Sequence, residues 1–264
     1  MAGASRIQGP DELEALSKIV SWAFGFPVAG TTKWLTDARL ENVRVARQHE
    51  KVVGGLVQIP MGQWFGGRSV PTLGIAGVAV DPAARGRGVA LAMMRETLAE
   101  ARARGIALST LYPATVSLYR AAGYELAGSY CRYSVRAADC PKKPSTLELG
   151  AIREEDAPEI EDAYRKLARE QPGYLDRCEY VWRRVRAPQG ETARGYVVRG
   201  ESGVEGYAYL LQQGNVTSAQ NLLLSDLIAL TPGALAALLS LFADHRSTVD
   251  NICLLYTSDA ADEL

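Results

Sequence analysis

Apolar and polar positions along the chain sort into short segments whose order predicts a mixed α/β protein built in two halves. Residues 11–22 read as a first helix, followed by an aromatic and glycine-rich segment that holds Phe24, Phe26, Gly30 and Trp34. Residues 43–48 and 52–59 read as two strands joined by a polar turn at 49–51, and Gly66-Gly67 marks a further reversal. Beyond an apolar strand that ends at Val80, residues Leu91, Met94, Leu98 and Ala101 recur at three- and four-residue steps. Arg95, Glu96, Glu100, Arg102 and Arg104 fill the opposite face, which predicts an amphipathic helix, and Gly105 stops it. A strand at 106–111 and a helical segment at 115–122 closing on Gly123 follow, and this domain is expected to end near Val135. The expected domains are 1–137, a proline-bearing linker at 138–147 with Pro141 and Pro144, and 148–252.

The second half predicts the same outline. Helical stretches at 154–170 and 177–186 lead to strands at 195–199, 206–212 and 221–230. Thr231-Pro232-Gly233 then caps a helix at 234–242, in the place where the first half has its glycine-rich turn.

That turn carries the candidate chemistry. Residues 78–88 read V-A-V-D-P-A-A-R-G-R-G, an apolar strand running into an Arg/Gly turn that opens a helix. Glycine permits close backbone approach, and the first helical turn leaves N–H groups unpaired at the positive end of the helix dipole, so the sequence predicts a pyrophosphate cradle for a nucleotide-like ligand. The dinucleotide fingerprint G-x-G-x-x-G fails at Leu91, and no G-K-[ST] follows to make a P-loop.

Arg85-x-x-Gly88-x-Ala90 resembles the Q/R-x-x-G-x-G/A turn of the GNAT acyltransferase superfamily, in which amides hold the pyrophosphate of acetyl-CoA. L-Y-R-A-A-G-Y at 118–124 resembles a second signature of that superfamily. There the first tyrosine often lies beside the coenzyme sulfur; Tyr119 would be that residue, and Tyr124 reads as a core aromatic with a hydrogen-bonded hydroxyl. A phenol with a pKa of about 10 stays protonated at neutral pH and lies close to the roughly 8.5 of a thiol, so proton transfer to a leaving thiolate is nearly balanced. By the same resemblance the backbone of 78–80 would stabilise the oxyanion. The base that deprotonates the attacking amine is not named by the sequence.

Composition narrows the class. The 264 residues, 47% hydrophobic with net charge −1, allow one large or two modest cores and offer no basic field for nucleic acid. No apolar run long enough for a membrane span and no signal-peptide layout occurs, so a cytoplasmic protein is expected. Cys131, Cys140, Cys178 and Cys253 lack C-x-x-C spacing and read as free thiols; with His49 and His245 as the two histidines, no metal site is expected.

Across residues 5–252 the chain resembles the enhanced intracellular survival (Eis) family, acetyl-CoA-dependent aminoglycoside N-acetyltransferases in which a catalytic GNAT lobe precedes a degenerate one. The resemblance implies an α/β (α+β, mixed-sheet) fold of tandem lobes, acetyl-CoA as cofactor, an aminoglycoside-like amine as substrate and a homo-oligomer. Protein lysines, polyamines and a non-catalytic acyl-CoA-binding role are the alternatives. Val78, Ala79 and Val80 would contact pantetheine, Arg85, Gly86, Arg87, Gly88, Val89, Ala90 and Leu91 the pyrophosphate, and Tyr119 would be the general acid. Thr115 would be a further cofactor contact. Phe24, Phe26, Trp34 and Asp37, with Trp22 and Glu41 nearby, would border the acceptor cleft. Family members often carry adjacent arginines where this chain has Arg85-Gly86-Arg87, and they continue into a third, sterol-carrier-like domain whose terminal carboxylate is the base. Residues 253–264 look like a translated sequencing-library adapter and are expected to be a non-native tail.

Overall fold

The computed structural model describes residues 4–214 and 220–257. The first sheet has the order β1-β2-β3-β4-β5, formed by Ala4–Arg6, Val43–Gln48, Lys51–Phe65, Arg68–Val80 and Leu108–Leu111. Its neighbours are antiparallel except β4 and β5, which run parallel. Gly66 and Gly67 both take positive φ in the β3–β4 turn, as their sequence predicts. β3 continues to Phe65, six residues past the expected end, because its pairing with β4 runs on to Phe65–Arg68.

Helices α1 (Pro10–Phe24) and α2 (Val28–Asp37) cover one face of this sheet, with Leu16, Val20 and Leu35 buried against Val45, Val57 and Ile59. α1 starts with a proline and acidic residues in its first turn and ends where Gly25 takes φ 73°. The aromatic segment after it is mostly the second helix. On the opposite face lie α3 (Val89–Ala103) and α4 (Val116–Ala121), packed on Leu56, Leu73 and Ile75. α3 buries Val89, Met93, Met94, Thr97 and Ala101, while Leu91 and Leu98 are half-buried. The buried stripe starts at the first helical residue, beside the turn, so it is rotated from the stripe that the Leu91 periodicity suggests.

β6 (Tyr130–Arg136) corrects the expected boundary. Residues up to 137 were expected to close the first domain, but β6 is the edge of the second sheet, whose order is β6-β12-β11-β10-β9-β7. The remaining strands of that sheet are β7 (Glu148–Ala151), β9 (Arg194–Gly200), β10 (Gly203–Gln213), β11 (Asn221–Ala229) and β12 (Asn251–Thr257). β12 runs parallel to β11 and antiparallel to β6, so residues 253–257 of the expected tail form strand structure. Cys253 is buried there. Residues 258–264 lie outside the described residues.

The repeat is topological. In each half three antiparallel strands lead through a helix to a strand parallel with the third: β2-β3-β4-α3-β5, and β9-β10-β11-α7-β12 with α7 at Pro232–Asp244. The Thr231 hydroxyl caps α7 by accepting from the Ala234 N–H at 3.1 Å. The other face of the second sheet carries α5 (Ala157–Ala168) and α6 (Glu179–Arg186). Between them β8 (Leu175–Asp176) crosses to pair with Gly62 and Gln63 of β3, which joins the halves. Arg177 fixes that crossing: its side chain is buried, donates to Asp226 at 2.6 Å and lies 3.6 Å over the Tyr164 ring.

Candidate acyl-transfer site

β4 opens at its C-terminal end for two reasons. Its parallel pairing with β5 stops at Ile75 and Leu111, so residues 76–80 continue without a β5 partner. Just there the register with β3 shifts from Val57–Ala76 to Gly55–Ala79, which sets Gly77 and Val78 opposite the single residue Leu56. This is a β-bulge, and Gly77 takes φ +61°, a value that glycine adopts without strain. The backbone of Val78, Ala79 and Val80 thus borders a gap between two diverging strands.

The Arg/Gly turn follows directly. Asp81 anchors it, since its carboxylate accepts from the Ala83 N–H at 2.8 Å and its own N–H donates to the Val53 carbonyl. Gly86 and Gly88 take φ 73° and 76°, and nothing lies within 4 Å of where a Cβ would stand on either. The first helical bond runs from Ala92 N–H to Gly88 carbonyl at 2.9 Å, so the N–H groups of Val89, Ala90 and Leu91 precede the ladder at the positive end of α3. Open glycines and outward amides fit a pyrophosphate. Arg87 is exposed, and the Arg85 guanidinium bonds the Val80 carbonyl at 3.1 Å.

α4 brings Tyr119 to the same region. Tyr119 is 7% exposed and shares an apolar cluster with Leu111 and Met93, against which Val78 and Val80 pack. Burial pushes its phenol above the usual tyrosine pKa. Thr115 is the exposed N-cap of this helix and makes no side-chain cap bond. Tyr119 and Tyr124 both line a cavity of about 450 Å³ bounded by the end of β5, α4 and residues 124–129. Tyr124 is half-buried against the same cluster rather than within the core; its hydroxyl is hydrogen-bonded to Ser109 at 2.6 Å, as expected, and desolvation pushes its pKa to about 12.

The expected acceptor residues separate. Trp34 reaches the bulge: its ring packs on Gly77, and its Nε1 donates to the Tyr180 hydroxyl of α6 at 2.8 Å. Asp37 holds α6 instead, with Lys33 at 2.5 Å from its carboxylate and Arg183 donating to its carbonyl at 2.9 Å. Trp22, Phe24 and Phe26 are exposed at the α1–α2 corner, and Glu41 is exposed beside β2. The α1–α2 face and the Tyr119 face therefore meet at Gly77 and Val78. Sequence reading passed over Gly77, although a lone glycine in a strand pattern is itself a signal for a bulge or a close approach. Ser109 and Tyr180 had no such signal.

Similarity to known proteins agrees with this geometry. Residues 5–127 and 173–264 each match a family described as an acetyltransferase (GNAT) domain. Among solved structures, a GCN5-related N-acetyltransferase from Anabaena variabilis is 32% identical, with TM-score 0.89 over 98% of this chain and 67% of that one. A probable N-acyltransferase from Enterococcus faecalis is 22% identical, with TM-score 0.83 over 97% and 65%. Eis1 from Mycobacterium abscessus is 21% identical, with TM-score 0.70 over 96% and 65%; these last two likenesses concern the fold. The chain thus spans about two thirds of the length of these proteins. No curated protein sequence matches it. Among the described residues no helix is long and apolar enough to cross a membrane.

Proposed function

The chain belongs to the GNAT acetyltransferase superfamily, and on that footing we propose that it transfers the acetyl group of acetyl-CoA to an amine of an aminoglycoside, with Tyr119 as general acid. Acetyl-CoA, when bound, supplies an electrophilic thioester carbonyl and a sulfur that leaves. The amides of 86–91 hold its pyrophosphate, with Arg87 adding charge at the mouth. The backbone of Val78, Ala79 and Val80 aligns the pantetheine and donates to the carbonyl oxygen as negative charge develops there. As the amine nitrogen bonds to the acetyl carbon and the carbon–sulfur bond breaks, Tyr119 would give its proton to the departing sulfur and regain one through solvent, which takes up the proton the amine loses. Burial keeps the phenol protonated at neutral pH while making it a weaker acid toward the thiolate. Thr115, on the same helix, offers its uncapped hydroxyl to the cofactor. The acceptor would enter from the α1–α2 side, where Trp34 walls the bulge; Phe24 and Phe26, exposed at the α1–α2 corner away from it, are the further aromatic faces open to a polycationic sugar.

The observation that supports this reading is one apolar cluster that holds Tyr119 and Val89, the first residue of the helix that the Arg/Gly turn opens, with Val78 and Val80 of the strand end that β5 leaves unpaired packed against it. The aminoglycoside class comes from the sequence resemblance of the Arg/Gly turn and the Tyr119 segment to the Eis family, and the likeness to Eis1 adds the fold alone. The test is thiol release from acetyl-CoA by the purified chain with kanamycin, neomycin or a lysine-containing peptide, compared between the parent and Tyr119→Phe. The expected result is aminoglycoside-dependent release that falls at least about tenfold in Tyr119→Phe with acetyl-CoA affinity retained. Release with the peptide alone overturns the substrate class, and undiminished turnover in Tyr119→Phe overturns the acid.

A further inference from the structure

The surroundings of Tyr119 point to a second residue in the reaction. α4 is six residues long and lacks a side-chain cap. A helix this short is held in place by tertiary contacts rather than by its own hydrogen bonds. Tyr124 supplies one through its side chain: its backbone N–H only closes the helix end on the Tyr119 carbonyl at 3.0 Å, but its ring meets the Tyr119 ring edge-on, with centroids 6.2 Å apart and 77° between planes. At the far end of the side chain, its hydroxyl lies 2.6 Å from Ser109 Oγ, and Ser109 donates to the Leu73 carbonyl at 2.9 Å. A serine has one proton to give, so Ser109 accepts from Tyr124 and the phenol is the donor. Leu73 is on β4, the strand whose bulged end carries Val78, Ala79 and Val80. One strand therefore bears both the open amides and the anchor of the ring that abuts Tyr119.

We propose that Tyr124, locked by Ser109, is a positioning residue that sets the Tyr119 phenol in register with the acyl-holding end of β4. The proposal rests on the acid role of Tyr119. A core aromatic with a satisfied hydroxyl would have the same contacts but no effect on turnover per folded molecule, and this difference decides the matter. Tyr124→Phe keeps the ring and loses the tie; Ser109→Ala strands the hydroxyl; Ser109→Thr keeps a hydroxyl on a strand that favours β-branched residues.

The experiment is a kinetic cycle over the parent, Tyr119→Phe, Tyr124→Phe and the double variant, with active sites counted by acetyl-CoA titration and folding followed by thermal melts. Tyr124→Phe should lower kcat about three- to tenfold with KM for acetyl-CoA within about twofold, since small misplacement of a reacting group costs rate more than binding. In the Tyr119→Phe background the same change should have no further effect, because residues acting through one another are non-additive. Ser109→Ala should repeat the loss and Ser109→Thr restore it, which keeps the test open if Tyr124→Phe folds poorly. Unchanged kcat in Tyr124→Phe and Ser109→Ala, or an equal loss in both backgrounds, overturns the positioning role. Parent-like turnover in Tyr119→Phe overturns the acid assignment instead, and the positioning role with it.

Discussion

Substitution of Gly77 by alanine tests whether the bulge is held open by a contact from the opposite helical layer. A Cβ at Gly77 would stand 2.4 Å from Cη2 and 3.0 Å from Cζ3 of Trp34, closer than carbon atoms pack. Trp34 cannot simply withdraw, because its Nε1 is bonded to the Tyr180 hydroxyl at 2.8 Å and it packs against the α1–α2 core. Relieving such overpacking costs about 1–3 kcal/mol. The φ of +61° adds about 1–2 kcal/mol for a residue that has a Cβ. The expected destabilisation is therefore about 2–5 kcal/mol, a large part of the roughly 5–15 kcal/mol that holds a typical fold. Urea unfolding followed by circular dichroism measures it. In a Trp34→Leu background the steric part should vanish, leaving about 1–2 kcal/mol from the backbone alone. A Gly77→Ala cost below about 1 kcal/mol, or an equal cost with and without the indole, would refute the account of the bulge.

Gly88→Glu should abolish acetyl-CoA binding in calorimetric titration, because it forces a side chain onto φ 76° and sets a negative charge at the mouth of the amide cradle. Parent-like affinity in that variant would remove the turn from the site. Glu100 is held down to about pKa 2, chiefly by hydrogen bonds from Arg44, whose side chain is 3% exposed. A folded pKa below the ordinary carboxylate value contributes stability above about pH 4.5 and loses it as pH falls toward 2. Glu100→Gln should thus cost about 2–3 kcal/mol at pH 7, discounted for the partial exposure of the carboxylate, and most of the difference from the parent should be gone by about pH 2, where the carboxylate is half protonated, in acid-unfolding curves. A difference that stays constant between pH 7 and 2 would refute that pairing.

Legibility in the sequence followed distance along the chain. The Arg/Gly turn, the helix it opens, Tyr119 on its short helix and the Thr231 cap were readable because each is contiguous chemistry: glycines that free φ, amides at a helix start, a hydroxyl three residues from the N–H it accepts. The double outline was readable for the same reason, since alternation and helical spacing repeat locally. Burial phase was less so, as α3 shows: its hydrophobic residues fit more than one stripe, and packing against β4 selected the one beginning at Val89. Pairings between distant residues were decided by the tertiary structure. The expected end of the first lobe became the edge strand of the second sheet, Asp37 was drawn into a bond with Arg183 from α6, and Gly77 became a bulge beneath an indole. A strand carries no mark of which edge it will join, and a glycine no mark of what will lie against it. Those outcomes depend on which surfaces bury the most apolar area together, a property of the assembled chain rather than of any segment.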